Sequence, residues 1–301
     1  MTKKRDIILI VEGGCMRGIF SCGVLNAIEN SSLYNRIHSI YAWSAGAHAS
    51  AYFLAKETAI GETIFGDLVD HHAVRPNLFF SFLMDLFLRI FFKKKHIKTM
   101  IDINYLKNLE KGKVKLNLKL LKKSKIKFYV RVFNLRKLKN VYLDGKEDTI
   151  KTIEASSALI PFYPHTVLTN GIKGADGGMI PSETIPDKKT MNLIKDNPDK
   201  KIIYVFNKDI VFPNMLLNIL GNFFHAIALG IFKNPLIFVK KTMSLLRFPM
   251  TYKAISYEHV YPVVNKNGYF SFCTNKKDLF DLYKYGQKEG SKVVTKIKGL
   301  K

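Results

Sequence analysis

The sequence has few acidic side chains for its length, with 24 Asp and Glu against 48 Lys and Arg and a formal net charge of +24. So basic a chain is attracted to polyanions such as nucleic acid or an anionic membrane surface. A lysine-rich surface can also follow from overall composition, so both interpretations stay open at this point. An apolar fraction of 47% supplies enough apolar residues for a buried core, and a charged fraction of 24% argues against a disordered chain.

Cysteines and metal-binding patterns are also scarce. The three cysteines, Cys15, Cys22 and Cys273, are an odd number and follow none of the spacings of zinc sites. An odd count is a poor basis for a disulfide framework, and the three cysteines fit a reducing compartment. The adjacent pair His71 and His72 resembles no metal set, so we predict neither a metal nor another cofactor.

The chain lacks a long uninterrupted apolar segment of the kind that spans a membrane. Its N-terminal apolar run, 7–11, is too short for a secretory signal and has no small-residue cleavage site after it. The most apolar window, 215–232, is about as short as a spanning helix can be, and it contains Asn218, Asn222 and His225. These polar groups favour an amphipathic or buried helix over a spanning one. We therefore expect a cytoplasmic protein and allow for its association with the inner face of the membrane.

Strand-like and helix-like segments alternate at the start of the chain. The β-branched run 7–11 precedes a glycine turn and a helical pattern over 19–28. A second strand, 37–43, passes through a short turn into the alanine-rich segment 47–55. This alternation predicts a parallel sheet covered by helices, that is, an α/β fold. Because the chain has no repeat and no flexible linker, residues 1–301 are predicted to form one domain.

The patterns are less regular later in the chain. Alternation predicts a strand over 126–133 with a hairpin partner at 141–143, and another strand lies at 202–206. The segment 278–301 is typical of a lysine-rich surface helix. Residues 78–92 combine phenylalanines with neighbouring lysines, as in a helix that lies in a membrane interface, although a core helix can have the same pattern.

The segment Ala42-Trp43-Ser44-Ala45-Gly46 lies between the second strand and the helix that follows it. A serine at such a sharp turn points outward, and the positive end of the helix favours negative charge there. Small neighbours permit the close approach of strand and helix, although glycine is more usual than alanine at position 42. Taken alone, a serine in this position is more often a plain helix N-cap.

A glycine-rich loop, Gly13-Gly14-Cys15-Met16-Arg17-Gly18, follows the first strand. Its backbone N–H groups could converge on an anion. A dinucleotide-binding loop would need a glycine where Cys15 stands and an acidic residue about 20 positions further on. An oxyanion hole is the better interpretation, because a serine follows one strand–helix unit later.

A third segment, Gly174-Ala175-Asp176-Gly177-Gly178, presents a carboxylate among glycines, and by itself it is an ordinary Asp-Gly turn. Upstream of it, Ala155-Ser156-Ser157-Ala158 is followed by Pro161-Phe162-Tyr163-Pro164. In order, spacing and residue type, these segments resemble the patatin-like phospholipase family when they are taken together with the glycine loop and Ser44.

The resemblance is clearest over 7–56 and 150–190, whereas 60–145 and 210–301 diverge and are candidate lid or membrane-contact segments. It implies a three-layer α/β/α patatin-like fold with a mainly parallel central sheet. It also implies a Ser–Asp dyad without a catalytic histidine, in a lipid acyl hydrolase of the phospholipase A type. The expected partner is a phospholipid or another acyl-ester lipid, with peripheral contact to an anionic membrane and no nucleic acid.

The resemblance also assigns roles to individual residues. Ser44 would be the nucleophile and Asp176 its general base. The oxyanion hole would use the backbone N–H groups of Gly13, Gly14 and Cys15. The supporting residues would be Arg17, Gly18, Ala42, Gly46, Gly177 and Gly178.

Two departures from the family pattern bear on activity. Cys15 stands where a glycine is usual, and Trp43 lies beside the nucleophile, where it could line or narrow an acyl groove. A catalytically weakened homologue that acts as a basic membrane-binding protein is therefore an alternative, as is an acyltransferase or thioesterase with the same nucleophile. A Ser-His-Asp hydrolase that uses His259 is disfavoured, because Ser44 follows only about two strands.

Overall fold

The structure is a computed structural model. It describes residues 5–74, 102–159 with short gaps at 103–104, 107, 109–110 and 138, 167–178 except 170, 188–207, 257–267 and 273–299. The segments predicted to meet a membrane, 78–92 and 215–232, lie outside the described residues, as does 161–164.

Strands and helices alternate along the described chain. The strands are β1 (Ile7–Val11), β2 (Ile37–Ala42), β3 (Lys127–Asn134), β4 (Lys139–Asp144), β5 (Val167–Thr169), β6 (Ile172–Asp176), β7 (Lys201–Phe206) and β8 (Val260–Val264). The helices are α1 (Gly18–Glu29), α2 (Ala45–Ala55), α3 (Gly61–Asp70), α4 (Leu118–Lys123), α5 (Thr149–Ser157), α6 (Lys188–Lys195) and α7 (Lys276–Gly299).

The eight strands form one mainly parallel sheet, in which hydrogen-bonded partners follow one another as β5-β6-β3-β2-β1-β7-β8 and β4 also pairs with β3. The strand β1 pairs in parallel with β2 and β7, and the parallel pairing continues to β3 on one side and to β8 on the other. The pairs β3–β4, β3–β6 and β5–β6 are antiparallel. The predicted α/β fold with a mainly parallel sheet is confirmed, and so is the predicted hairpin of β3 and β4.

The strand β1 is buried along its whole length, which explains its uninterrupted run of Ile, Leu and Val. On one face Ile7, Leu9 and Val11 belong to the larger apolar cluster, which includes side chains of α1, α2 and α7. On the other face Ile8 and Ile10 pack with apolar residues of α6. Helices therefore cover both faces of the sheet, and the architecture has the three layers α/β/α.

The helix α7 packs closely on α1, and glycines make this approach possible. A Cβ atom on Gly23 of α1 would lie 2.1 Å from the carbonyl oxygen of Tyr283, and one on Gly286 would lie 2.3 Å from that of Phe20. The helix predicted over 278–301 is thus present, but the prediction that it is a surface helix is only half right. Its inner face is buried in the core and only its outer face carries exposed lysines.

Alanine at position 23 is expected to lower the free energy of unfolding by about 2–3 kcal/mol, because its methyl group would meet the Tyr283 backbone and force α1 and α7 apart. The matched change Gly66→Ala in α3 places a methyl group in ordinary contact with Phe280, at 3.5 Å. Because alanine favours a helix, this control should raise the free energy of unfolding by about 0.5–1 kcal/mol. Urea denaturation followed by circular dichroism measures both, and equal stability of the two variants would contradict the close helix packing.

Candidate active site

The strand β3 brings the predicted nucleophile and its predicted base to the same place. The strand β2 pairs with the first half of β3 and ends at Ala42, opposite Val130. The strand β6 pairs with the second half and ends at Asp176, opposite Val132. The strand β4 pairs with the opposite edge of β3 along both halves. The strands β2 and β6 therefore lie on the same edge of β3, and their carboxyl ends face each other. The two β3 positions are about 7 Å apart, so Ser44 and Asp176 flank the same gap.

Ser44 is the residue at which the chain turns from β2 into α2. Its backbone has φ 52° and ψ −133°, which is a strained conformation for a residue with a side chain. Ser44 occupies the N-cap position of α2, but its side chain makes no capping hydrogen bond, which argues against the plain N-cap interpretation. Gly46 is required in this turn, because a Cβ atom there would lie 2.3 Å from the carbonyl oxygen of Glu12. The sharp turn thus leaves the Ser44 hydroxyl unused by the helix.

The glycine loop after β1 packs directly against Ser44. A Cβ atom on Gly13 would lie 2.7 Å from the Cβ atom of Ser44 and 3.3 Å from its Oγ atom, so the loop can approach this closely only as glycine. The chain then forms a single 3-10 turn, Cys15–Arg17, in which the Arg17 N–H donates to the Gly14 carbonyl oxygen at 3.1 Å. The predicted oxyanion loop and the predicted nucleophile are therefore in contact.

Cys15 adopts a backbone conformation that is typical of glycine, with φ 52°. The loop therefore keeps, at Cys15, the backbone conformation that a glycine at this position would adopt. Burial of the thiol raises the pKa of Cys15 to about 12, and the negative charge of Asp176 acts in the same direction. The thiol is consequently neutral at physiological pH and a poor nucleophile.

Replacing Cys15 by glycine is expected to raise the free energy of unfolding by up to about 1 kcal/mol, because glycine escapes the cost of a left-handed backbone. Cys15→Ala is the matched control, since it removes the same thiol but keeps the strain. Thermal denaturation of the two variants should therefore give the higher Tm for glycine. A higher Tm for alanine would show that the loop is not strained at this position.

Trp43 forms the packing surface between the two glycine segments of the site. The residue is 1% exposed, and the Cζ atom of Arg131 lies 3.6 Å from the centroid of its ring. Cβ atoms on Gly13 and Gly178 would lie 3.1 and 3.3 Å from Trp43 Cδ1, so both segments rest on the indole. Within the described residues Trp43 thus belongs to the smaller apolar cluster of the core, and it is not the wall of an open groove.

Asp176 is the last residue of β6 and is 4% exposed. The sequence pattern placed it inside a turn that begins at Gly174, whereas in the structure residue 174 belongs to the strand and the turn follows Asp176. The Gly178 N–H donates to Asp176 Oδ1 at 2.6 Å. A Cβ atom on Gly177 would lie 2.3 Å from the carbonyl oxygen of Arg131, so this turn also requires glycine.

Ser156, near the end of α5, connects the two halves of the site. Its hydroxyl accepts a hydrogen bond from the Ser44 N–H at 2.9 Å and donates one to the Arg131 carbonyl oxygen at 2.7 Å. Its own carbonyl oxygen accepts from the Gly177 N–H at 3.1 Å. Sequence patterns identified Ser156 only as part of a motif, because no local spacing indicates a bond to a residue 112 positions away.

Comparison with known proteins identifies the family. The sequence profile described as Patatin-like phospholipase matches residues 9–185, which is more than half of the 301 residues. The chain belongs to the patatin-like phospholipase family. A comparison with curated proteins gives no significant match. Among solved structures, VipD from Legionella pneumophila is similar with a TM-score of 0.44 and 12% identity, over 97% of this chain and 67% of that chain.

Membership of the patatin-like phospholipase family implies lipid acyl hydrolase activity. The supporting residues named from the sequence have packing roles around the site of this family member. Ala42 is fully buried in the larger apolar cluster, so its methyl group fits where glycine is more usual. A Cβ atom on Gly18 would lie 2.6 Å from that of Ala45, so glycine lets α1 pass close to the start of α2. Arg17 is buried at the start of α1, at the base of the glycine loop.

His259 and Ser44 lie at opposite ends of the parallel strands. His259 precedes β8, at the amino ends of the parallel strands, and its Nε2 atom is 3.1 Å from the Ile194 carbonyl oxygen. Ser44 follows the carboxyl end of β2, so His259 cannot act on it. In the part of the chain that the structure describes, no group of three His, Cys, Asp or Glu side chains could hold a metal. Nor does that part contain a helix with the length and apolar character of a membrane span.

Proposed function

We propose that this patatin-like phospholipase hydrolyses acyl esters of lipids through a dyad of Ser44 and Asp176. The proposal is carried by the meeting of β2 and β6 on one edge of β3, with Ser44 just after one strand end and Asp176 at the other. The strained turn at Ser44 and its contact with Gly13 support the same assignment. The burial of the Asp176 carboxylate next to these residues supports its assignment as the general base.

The reaction proceeds in two steps without a histidine. In the first, Ser44 Oγ attacks the ester carbonyl carbon while its proton passes to the Asp176 carboxylate. The bond to the leaving alcohol breaks, the alcohol takes that proton, and an acyl-enzyme remains on Ser44. In the second step water attacks the acyl carbon and gives a proton to Asp176. The bond to Ser44 Oγ then breaks, the proton returns to Ser44, and the fatty acid is released.

Backbone N–H groups of the glycine loop would stabilise the negative oxygen that develops in both steps. Gly13, Gly14 and Cys15 are the proposed donors, and the contact between Gly13 and Ser44 supports this assignment. The N-terminus of α2, which begins at the residue after Ser44, adds a favourable dipole. Loss of a single donor from such a site typically costs about 3–4 kcal/mol of transition-state stabilisation.

The reaction is tested by incubating the wild-type protein with vesicles of a defined glycerophospholipid and analysing the products by mass spectrometry. At early times we expect one free fatty acid for each lysophospholipid, because hydrolysis of the first of the two acyl esters gives one molecule of each. Release of a phosphorylated headgroup, or no product from either vesicles or short-chain esters, would contradict the proposal.

We further propose that the protein is cytoplasmic and contacts anionic membranes peripherally at their inner face. The formal charge of +24 supports this, because lysine and arginine are attracted to acidic lipid headgroups. On the described surface, α4 exposes Leu118 and Leu120 on either side of Lys119.

Binding to vesicles that contain an anionic lipid is expected to fall as salt is raised from about 0.05 M to about 0.5 M, because salt screens the attraction. Neutral vesicles of the same size are the control and should bind weakly at both concentrations. Co-sedimentation measures the bound fraction. Equal binding to both vesicle types, unaffected by salt, would contradict an electrostatic contact.

A further inference from the structure

A buried asparagine lies directly behind the glycine loop. Asn207 is the residue after β7, and none of its surface is exposed. Its Nδ2 atom donates to the carbonyl oxygen of Glu12 at 2.6 Å, and its Oδ1 atom accepts from the Ser21 hydroxyl at 2.8 Å. A Cβ atom on Gly14 would lie 2.8 Å from the Cβ atom of Asn207, so the loop rests on this side chain. Asn207 therefore joins the loop to α1 through one amide group.

The hydrogen bond from Asn207 to the Glu12 carbonyl oxygen also sets the direction of the Gly13 N–H group. In a trans peptide the carbonyl oxygen and the following N–H point in opposite directions across a rigid plane. A Glu12 carbonyl that is held by Asn207 therefore directs the Gly13 N–H away from Asn207. Ser44 lies on that other side, because it follows β2 whereas Asn207 follows β7, and these two strands pair with opposite edges of β1. A Cβ atom on Gly13 would lie 3.3 Å from Ser44 Oγ, so Gly13 is also close to the nucleophile.

We propose that Asn207 is a positioning residue that fixes the peptide between Glu12 and Gly13, so that the Gly13 N–H points at the oxyanion. This inference rests on the proposed hydrolase function. Consecutive glycines at 13 and 14 would otherwise let the peptide rotate, since glycine adopts backbone conformations on both sides of φ 0°. An asparagine suits this position, because its amide supplies the donor for Glu12 and the acceptor for Ser21 in one side chain.

The test replaces Asn207 by alanine and by aspartate, which keeps the shape and the acceptor for Ser21 but loses the donor for Glu12. On a chromogenic ester, kcat should fall about 10- to 100-fold with KM nearly unchanged, because the oxyanion forms only after binding. The matched control is Asn265→Ala. Asn265 is also fully buried, and its Nδ2 atom donates to the carbonyl oxygen of Asn207 at 3.3 Å, but it makes no bond to the glycine loop. Its kcat should stay close to that of the wild type.

A second substrate separates positioning from general damage to the fold. In a thionoester, sulfur replaces the carbonyl oxygen and gains less from N–H donors. Loss of Asn207 should therefore reduce kcat for the oxygen ester more than for the thionoester. If the Asn207 variants do not fold, Ser21→Ala frees one end of the same amide and should shift the substrate ratio in the same direction, with a smaller loss of kcat.

An equal loss on both esters, a change in KM alone, or no change in any of these variants would overturn the inference. An active wild type with an unaffected Asn207 variant would reject the inference and leave the hydrolase proposal in place. A wild-type protein that turns over neither ester would reject the proposed function, and the positioning role with it.

Discussion

Alanine at position 44 is expected to lower kcat for ester hydrolysis by about 10³-fold or more, because the nucleophile is lost. The fold should be unaffected, since the Ser44 side chain makes no capping hydrogen bond to α2. The backbone N–H of residue 44 still donates to the Ser156 hydroxyl in the variant, because that bond does not involve the side chain. A chromogenic short-chain ester reports the turnover, and circular dichroism with a thermal scan reports the fold.

The control for this change is Ser157→Ala. Ser157 is also a serine close to the site, but its hydroxyl lies 3.0 Å from His48 Nε2 and has no part in the proposed dyad. This variant should retain most of the wild-type turnover. If Ser44→Ala keeps its activity, another residue performs the attack and the proposed mechanism is wrong.

Asparagine at position 176 is expected to lower kcat by about 10²- to 10⁴-fold, the range for loss of a general base. The side chain keeps its volume, and its oxygen can still accept the Gly178 N–H that Asp176 Oδ1 accepts at 2.6 Å. The turn should therefore persist while the ability to take a proton is lost. Steady-state kinetics on the same ester separate kcat from KM, and KM should change little.

The chain offers a close match to Asp176 as a control. Asp144 also ends a strand and precedes a glycine, and its Oδ1 atom accepts the N–H of Lys146 at 2.8 Å. Asp144→Asn therefore makes the same chemical change in the same local geometry, on a side chain that has no part in the proposed dyad. Full activity in Asp144→Asn and a large loss in Asp176→Asn would assign the effect to the base. Similar kinetics in both variants would contradict that role for Asp176.

The first two strand–helix units could be predicted from the sequence, because the signal is local. A buried run of β-branched residues predicts β1, and small residues after β2 predict the sharp turn at Ser44. Gly13 and Gly46 could be recognised for the same reason, since a position where two backbones approach closely requires glycine. The structure adds the atoms that they approach, Ser44 and the Glu12 carbonyl oxygen.

The placement of Asp176 could not be predicted from local patterns. Residues 174–178 have the composition of a turn, yet three of them form the end of β6, because they pair with Val132–Asn134 of β3. That pairing is a tertiary interaction, and tertiary contacts override local propensity in strands. The proposal that Asp176 acts as the partner of Ser44 rests, at the level of the sequence, only on the resemblance to the family.

The contacts of Trp43 and Asn207 could not be predicted from the sequence for a similar reason. The sequence makes Trp43 a candidate to line or narrow an acyl groove, because it is large and lies beside the nucleophile, but burial against Arg131 makes it a packing residue. Asn207 carried no signal at all, since its partner Glu12 is 195 positions away in the chain. Contacts of this kind depend on how the strands are ordered in the sheet, which no single segment encodes.

The most direct test of the central claim is labelling with a fluorophosphonate, which reacts covalently with activated serine hydroxyls. Peptide mass spectrometry should find one label per chain, on Ser44, in the folded protein and none after denaturation. Prior alkylation of thiols should not prevent the labelling, because Ser44 and not Cys15 is the proposed nucleophile. Absence of a label in a correctly folded protein, or a label on a different serine together with full esterase activity in Ser44→Ala, would contradict the account.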